Sequence, residues 1–100
     1  MIIGYSRAAT KMQGVEKQNE ELSKAGCVKI YTDICSGLEV SPPSLEKMIK
    51  DIQPGDQVIA YDRSRISRSE LHFQNVADIL QEKGVKLTFI KDERVLFELS

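Results

Sequence analysis

The sequence has 100 residues, a formal net charge of −1, 41% hydrophobic residues and 29% charged residues. This composition is typical of one small globular domain with a single core. It excludes a membrane-spanning segment, because no apolar run approaches about 20 residues, and it excludes a globally basic surface for nucleic acid. Because no export signal precedes the first strand, we expect a cytoplasmic protein with reduced thiols at Cys27 and Cys35.

Strands and helices alternate along the first half of the chain. The apolar start predicts a strand over residues 2–7, and apolar positions at helical spacing predict a helix over 15–25. The β-forming run 27–32 (CVKIYT) predicts a second strand. After a loop, a clean apolar stripe predicts a helix over 42–52, for which Ser41 is the expected N-cap.

The second half continues this alternation. A short apolar run predicts a strand over 58–61, and Ser67 with Glu70 matches a capping box at the start of the next helix. The run 85–90 predicts a fourth strand, and the tail that follows is compatible with a short fifth edge strand or the start of a helix. We therefore predict an α/β fold with an open, mostly parallel four-stranded sheet and helices on both faces.

Four of the five arginines fall at the ends of the first and third predicted strands. They are Arg7, Arg63, Arg65 and Arg68. Open α/β sheets bind ligands at the carboxyl ends of their strands, and the guanidinium fork matches phosphate oxygens. These positions favour an oxyanion site, which leaves a nucleotide, a sugar phosphate and a nucleic-acid backbone as candidates. The alternative is an exposed loop whose arginines pair with Asp62, Glu70 and water.

Three stretches carry a resemblance to a known family. They are MIIGYSRAATKMQGVEKQ at the start of the chain, YTDICSG after the second strand and GDQVIAYDRSRISRSE around the third strand. In order and spacing they resemble the catalytic domain of the serine recombinases, the resolvase/invertase family. The resemblance implies phosphoryl transfer on DNA within a tetramer, through a covalent phosphoserine, with arginines stabilising the developing charge and with no metal or cofactor.

The resemblance also implies roles for individual residues. Arg7 matches the arginine beside the scissile phosphate, and Arg65 and Arg68 match the paired arginines of the third-strand loop. The polar residues that the family places around the scissile phosphate correspond in this sequence to Gln13, Gln18, Asp33 and Ser36.

Three positions depart from the family pattern. Ala9 stands at the nucleophile position, and a methyl group cannot attack phosphorus. Ser64 replaces an aspartate and Pro43 replaces an arginine. Asp62 could reach the place of the missing aspartate, and Thr10 is a stand-in candidate for the nucleophile. Whether the chain is an enzyme is therefore left open.

Two hypotheses follow for the whole chain. The first is a site-specific recombinase catalytic domain over residues 1–100 that is inactive or impaired because of Ala9. The alternative is a non-catalytic interaction or regulatory module with the same fold. Neither a long dimer helix nor a helix-turn-helix follows the fourth strand in these 100 residues, so we expect weak DNA binding, and assembly as a homo-oligomer or with an intact recombinase.

Overall fold

A computed structural model of the chain describes residues 1–10, 14–36, 38–39 and 41–91. The predicted alternation of strands and helices is confirmed. In chain order the elements are β1 (Ile2–Ala8), α1 (Val15–Lys24), β2 (Lys29–Ile34), α2 (Pro43–Asp51), β3 (Gln57–Ala60), α3 (Arg63–Ile66), α4 (Glu70–Glu82) and β4 (Lys86–Phe89). None of the described helices is long and apolar enough to cross a membrane.

The four strands form one parallel sheet in the order β2-β1-β3-β4. In the centre of this sheet, β1 pairs with β2 from Ile3 to Ala8 and with β3 from Ile2 to Tyr5 only. The last residues of β1, including Arg7, therefore extend past the final pair with β3. This overhang brings the end of β1 beside the loop that leaves β3.

Helices cover both faces of the sheet, as predicted. On one face α1 packs closely, because a Cβ at Gly4 would lie 3.1 Å from Cys27 Sγ and 3.2 Å from Leu22 Cδ1. The other face carries α2 and α4 and the larger core. That core includes Ile3, Tyr5, Leu45, Met48, Val58, Phe73, Val76, Leu80 and Leu87. Right-handed crossovers produce this arrangement, since the chain moves one way across the sheet from β1 to β2 and the other way afterwards.

The second strand lies two residues later than predicted, at Lys29–Ile34. The backbone N–H of Cys27 donates to Leu22 O, and the N–H of Val28 donates to Ile2 O. Residues 27 and 28 therefore belong to the turn that follows α1. The predicted fifth edge strand would lie in 92–100, outside the described residues.

Both predicted helix caps were wrong. The N-cap of α2 is Pro42 rather than Ser41. The N–H groups of Ser44 and Leu45 in its first turn donate to the side chain of Asp33 in β2. The N-cap of α4 is Ser69, whose Oγ accepts from His72 N at 3.2 Å. Ser67 Oγ instead accepts from Ser69 N at 3.0 Å, which forms a local turn between α3 and α4.

Candidate phosphate-binding site

A cavity of about 340 Å³ opens at the carboxyl ends of β1, β2 and β3. Its lining residues are Arg7, Ala8, Ala9, Cys35, Ser36, Ser64, Arg65 and Arg68. The connection after β1 leads to α1 on one face, and the connection after the neighbouring β3 leads to α4 on the opposite face. The cavity therefore lies at the topological switch point of the sheet, where open α/β folds bind their ligands.

Arg7 is buried, with 2% of its surface exposed, and its guanidinium connects two loops. Its Nε donates to Arg65 O at 3.0 Å, and its Nη2 donates to Ile66 O. Its Nη1 donates to Ser36 O at 3.2 Å. Arg7 thus joins the loop after β2 to α3. Among the described residues, no carboxylate lies within ion-pair distance of this buried cation.

Gln18 holds the backbone of Arg7 rather than lining the cavity. Its Nε2 donates to Arg7 O at 2.9 Å, and its Oε1 accepts from Arg7 N at 3.2 Å. Both bonds serve the part of β1 that extends past β3. In this structure Gln18 supports the end of the strand, and its role at the phosphate stays a prediction. Gln13 lies outside the described residues.

Arg65 and Arg68 approach the cavity from the loop after β3. Arg65 Nη1 donates to Arg7 O at 3.3 Å, while its buried Nε has no hydrogen-bond partner among the described atoms. Arg68 is exposed, and the described residues place no carboxylate within ion-pair distance of it. Among the described residues, Arg65 Nη2 and the guanidinium of Arg68 make no hydrogen bond and are therefore available to an anion.

Asp62 and Ser64 form a close pair beside Arg65. The Ser64 hydroxyl donates to Asp62 Oδ1 at 2.6 Å, and the same oxygen lies 3.9 Å from Arg65 Nε. The carboxylate of Asp62 thereby reaches the neighbourhood of Ser64, where the resemblance implies an aspartate. Ser64 lines the cavity but Asp62 does not.

Asp33 supports α2 instead of facing the cavity. Its Oδ1 accepts from Ser44 N at 2.9 Å, and its Oδ2 accepts from Leu45 N at 2.9 Å. Oδ2 also accepts from the hydroxyl of Tyr5 at 2.7 Å. Burial, and then the hydrogen bond to Asp33, raise the pKa of Tyr5 above its usual value. The buried carboxylate of Asp33 is occupied as a helix cap and lies outside the lining of the cavity, and its role at the phosphate stays a prediction.

Of the two residues considered for the nucleophile, the cavity is lined by Ala9, which the resemblance places at that position, and not by Thr10. Ala9 is exposed and lines the cavity, whereas the neighbouring Thr10 is exposed outside the lining. Ser36 also lines the cavity, and its Oγ accepts from Leu38 N at 3.1 Å. The structure thus brings Ala9 together with the arginines at positions 7, 65 and 68.

Sequence reasoning missed Cys35 as a lining residue. Its Sγ lies 3.9 Å from Arg7 Nη1. With the second strand predicted to end at residue 32, Cys35 fell within a long loop, and the true end of β2 at Ile34 places it at the strand mouth. The described residues contain no group of three or more His, Cys, Asp or Glu side chains that could hold a metal ion.

Comparison with known proteins identifies the family to which the chain belongs. The family model described as "Resolvase, N terminal domain" matches residues 2–98. The chain belongs to the resolvase family. The predicted relationship to the serine recombinase catalytic domain is thereby confirmed.

Curated relatives of this resolvase-family domain are longer proteins. A "Resolvase" from Clostridium perfringens (strain 13 / Type A) is 38% identical over 94 residues, which cover 92% of this chain and 50% of that protein. The "Serine recombinase gin" of Escherichia phage Mu is 33% identical over 92 residues, covering 92% and 48% respectively. The chain thus spans about half the length of these relatives.

Solved structures agree on the fold. A resolvase family site-specific recombinase from Streptococcus pneumoniae superposes with a TM-score of 0.76 at 21% identity, covering 95% of this chain and 74% of that one. A serine recombinase from Sulfolobus solfataricus gives a TM-score of 0.75 at 20% identity, covering 92% and 71%. At these identities the likeness supports the α/β architecture alone.

Proposed function

We propose that this resolvase-family domain binds a DNA phosphodiester in the cavity without forming the phosphoserine bond of the recombination reaction. It would then be an inactive or strongly impaired recombinase catalytic domain. The observation that carries the proposal is that Ala9, the nucleophile position, lines the same cavity as Arg65 and Arg68. The chain keeps the groups that bind phosphate and lacks the hydroxyl that would attack it.

The arginines support phosphate binding in two ways. Arg68 and part of Arg65 offer unoccupied donors, and guanidinium donors bind phosphate oxygens at short range. Arg7 contributes a buried positive charge beside the cavity, although its donors are used by backbone carbonyls. Such a fixed positive environment would also stabilise charge that develops on a reacting phosphate. Without a nucleophile, this stabilisation serves binding only.

Two other serines near the cavity are hydrogen-bonded within their own loops. Ser64 donates to Asp62, and Ser36 accepts from a backbone amide. Thr10 lies outside the lining. The family resemblance assigns the nucleophile to position 9 and to none of these hydroxyl groups.

DNA is the proposed partner, together with other recombinase subunits. The family resemblance implies assembly into oligomers, so association with a second copy or with an intact recombinase is part of the proposal. The net charge of −1 gives no general attraction to DNA, and binding then depends on the local arginine cluster.

A salt-dependent titration tests the phosphate site. A fluorescent DNA oligonucleotide is titrated with the wild-type chain, Arg65→Gln and Arg68→Gln at several salt concentrations. We expect each variant to bind more weakly and to reduce the salt slope by about 0.7–0.9, the contribution of one phosphate contact. Lys86→Gln, an exposed position at the amino end of β4 and so away from the carboxyl ends of the strands, is the matched control. Wild-type affinity and slope in both arginine variants would refute the proposed site.

A further inference from the structure

A second cavity adjoins the phosphate-binding cavity. It has a volume of about 390 Å³ and is lined by Arg63, Ser64, Ser67, Arg68 and Glu70. Ser64 and Arg68 line both cavities. The two spaces are therefore neighbours with a common wall, and Arg68 is available to each of them.

Arg63 is held in place within the second cavity. Its guanidinium carbon lies 4.1 Å from the centroid of the Phe73 ring. Stacking on an aromatic face suits the flat, delocalised guanidinium and leaves its N–H groups free at the edge. Because the side chain is already ordered, less conformational entropy is lost when these donors bind a ligand.

An exposed carboxylate occupies the donors of Arg63. Arg63 Nη2 donates to Glu70 Oε2 at 2.8 Å, and the side chain of Glu70 is 88% exposed. Ion pairs between exposed side chains contribute little to stability, so an incoming anion can replace this one. Glu70 thus stands in the second cavity where a phosphate oxygen would bind.

We propose that Arg63 and Arg68 form a second phosphate subsite, which holds the phosphodiester next to the one in the first cavity. Glu70 occupies this subsite until DNA displaces it. The inference rests on the proposed function, because it requires a DNA strand in the first cavity. Ser64 and Arg68 line both cavities, so the two cavities suit neighbouring phosphates of one strand.

Two probes separate the subsites. The dinucleotide TpT carries one phosphodiester and the trinucleotide TpTpT carries two, and both are titrated by NMR. We expect Arg63→Gln to lose several-fold in affinity for TpTpT and to change far less with TpT. Arg63→Lys keeps the charge and should restore part of the loss. Glu70→Gln removes the competing carboxylate and should raise the affinity for TpTpT several-fold.

Controls separate failure of the subsite from failure of the site itself. Lys86→Gln should bind both probes as the wild type does, and Arg65→Gln should weaken both. One outcome refutes only the second subsite: Arg65→Gln lowers the affinity for both probes, while Arg63→Gln and Glu70→Gln bind TpTpT with wild-type affinity. The first phosphate site then stands. If Arg65→Gln changes neither probe, or the wild type binds neither, the proposed function is refuted together with the subsite. Thermal unfolding of each variant checks that it is folded.

Discussion

Arg7 organises the candidate site through its backbone contacts. Its guanidinium reaches carbonyl oxygens of Ser36, in the loop after β2, and of Arg65 and Ile66, in α3. A planar fork of five donors can serve several acceptors at once, whereas a lysine ammonium is a single point of charge. The residue therefore positions the arginine-bearing loop in addition to adding charge.

Arg7→Lys should destabilise the domain while keeping the charge. We expect the free energy of unfolding to fall by about 2–4 kcal/mol, because at least two charge-assisted hydrogen bonds are lost in a buried place. Denaturant unfolding measures the change. The matched control is Arg68→Lys, an exposed position, where the change should stay within about 0.5 kcal/mol. Equal stability of the two variants would show that the fork of Arg7 does not hold the loops.

At the residue scale, the sequence could place the arginines but not their contacts. Arg7, Arg65 and Arg68 follow apolar strands, so their convergence at one edge of the sheet was predictable. The use of the Arg7 donors by backbone carbonyls depends on the paths of two loops that no periodic pattern describes. The same limit applies to Asp33, whose bonds to the N–H groups at the start of α2 follow from no periodic pattern.

The start of α2 depends on β2 for its cap. Asp33, near the end of β2, accepts from the N–H groups of Ser44 and Leu45 and from the hydroxyl of Tyr5. A carboxylate at this place satisfies two free donors and interacts favourably with the positive end of the helix. One side chain thus fixes the helix relative to β1 and β2.

Asp33→Ala should cost more stability than removal of an ordinary cap. We expect a loss of about 2–4 kcal/mol, since the cap and the buried bond to Tyr5 disappear together. Ser69→Ala, which removes the single side-chain cap of α4, should cost about 1 kcal/mol. Denaturant unfolding gives both values, and hydrogen exchange at Ser44 and Leu45 should accelerate in Asp33→Ala alone. Equal losses in the two variants would contradict the double role of Asp33.

At the element scale, long periodic stripes were predictable and local junctions were not. The apolar stripes identified α2 and α4, because burial on one face imposes helical spacing. The four-residue helix α3 (Arg63–Ile66) is too short to show a period, so no apolar pattern predicts it. The N–H groups at the start of α2 donate to Asp33, which lies 11 residues before Ser44 and 12 before Leu45. A hydrogen bond over that separation leaves no local pattern in the sequence.

For the whole molecule, the order of the strands decides where the chemistry lies. The order β2-β1-β3-β4 puts β1 beside β3, so the loops that carry Ala9 and Arg65 leave neighbouring strands towards opposite faces. Alternating strands and helices predicted a parallel sheet, and the family resemblance predicted which loops would meet. Neither pattern predicts the order of the strands, which depends on tertiary packing.

We propose that the missing hydroxyl at position 9 separates phosphate binding from covalent attack, and adduct formation on DNA tests this most directly. The chain is joined to the DNA-binding region of a resolvase, incubated with DNA carrying the matching site, and run on a denaturing gel. We predict binding without a covalent adduct for the wild type, and a measurable adduct for Ala9→Ser, with more when Ser64→Asp is added. An adduct in the wild type equal to that of Ala9→Ser, or none in either serine variant despite DNA binding, would contradict the account.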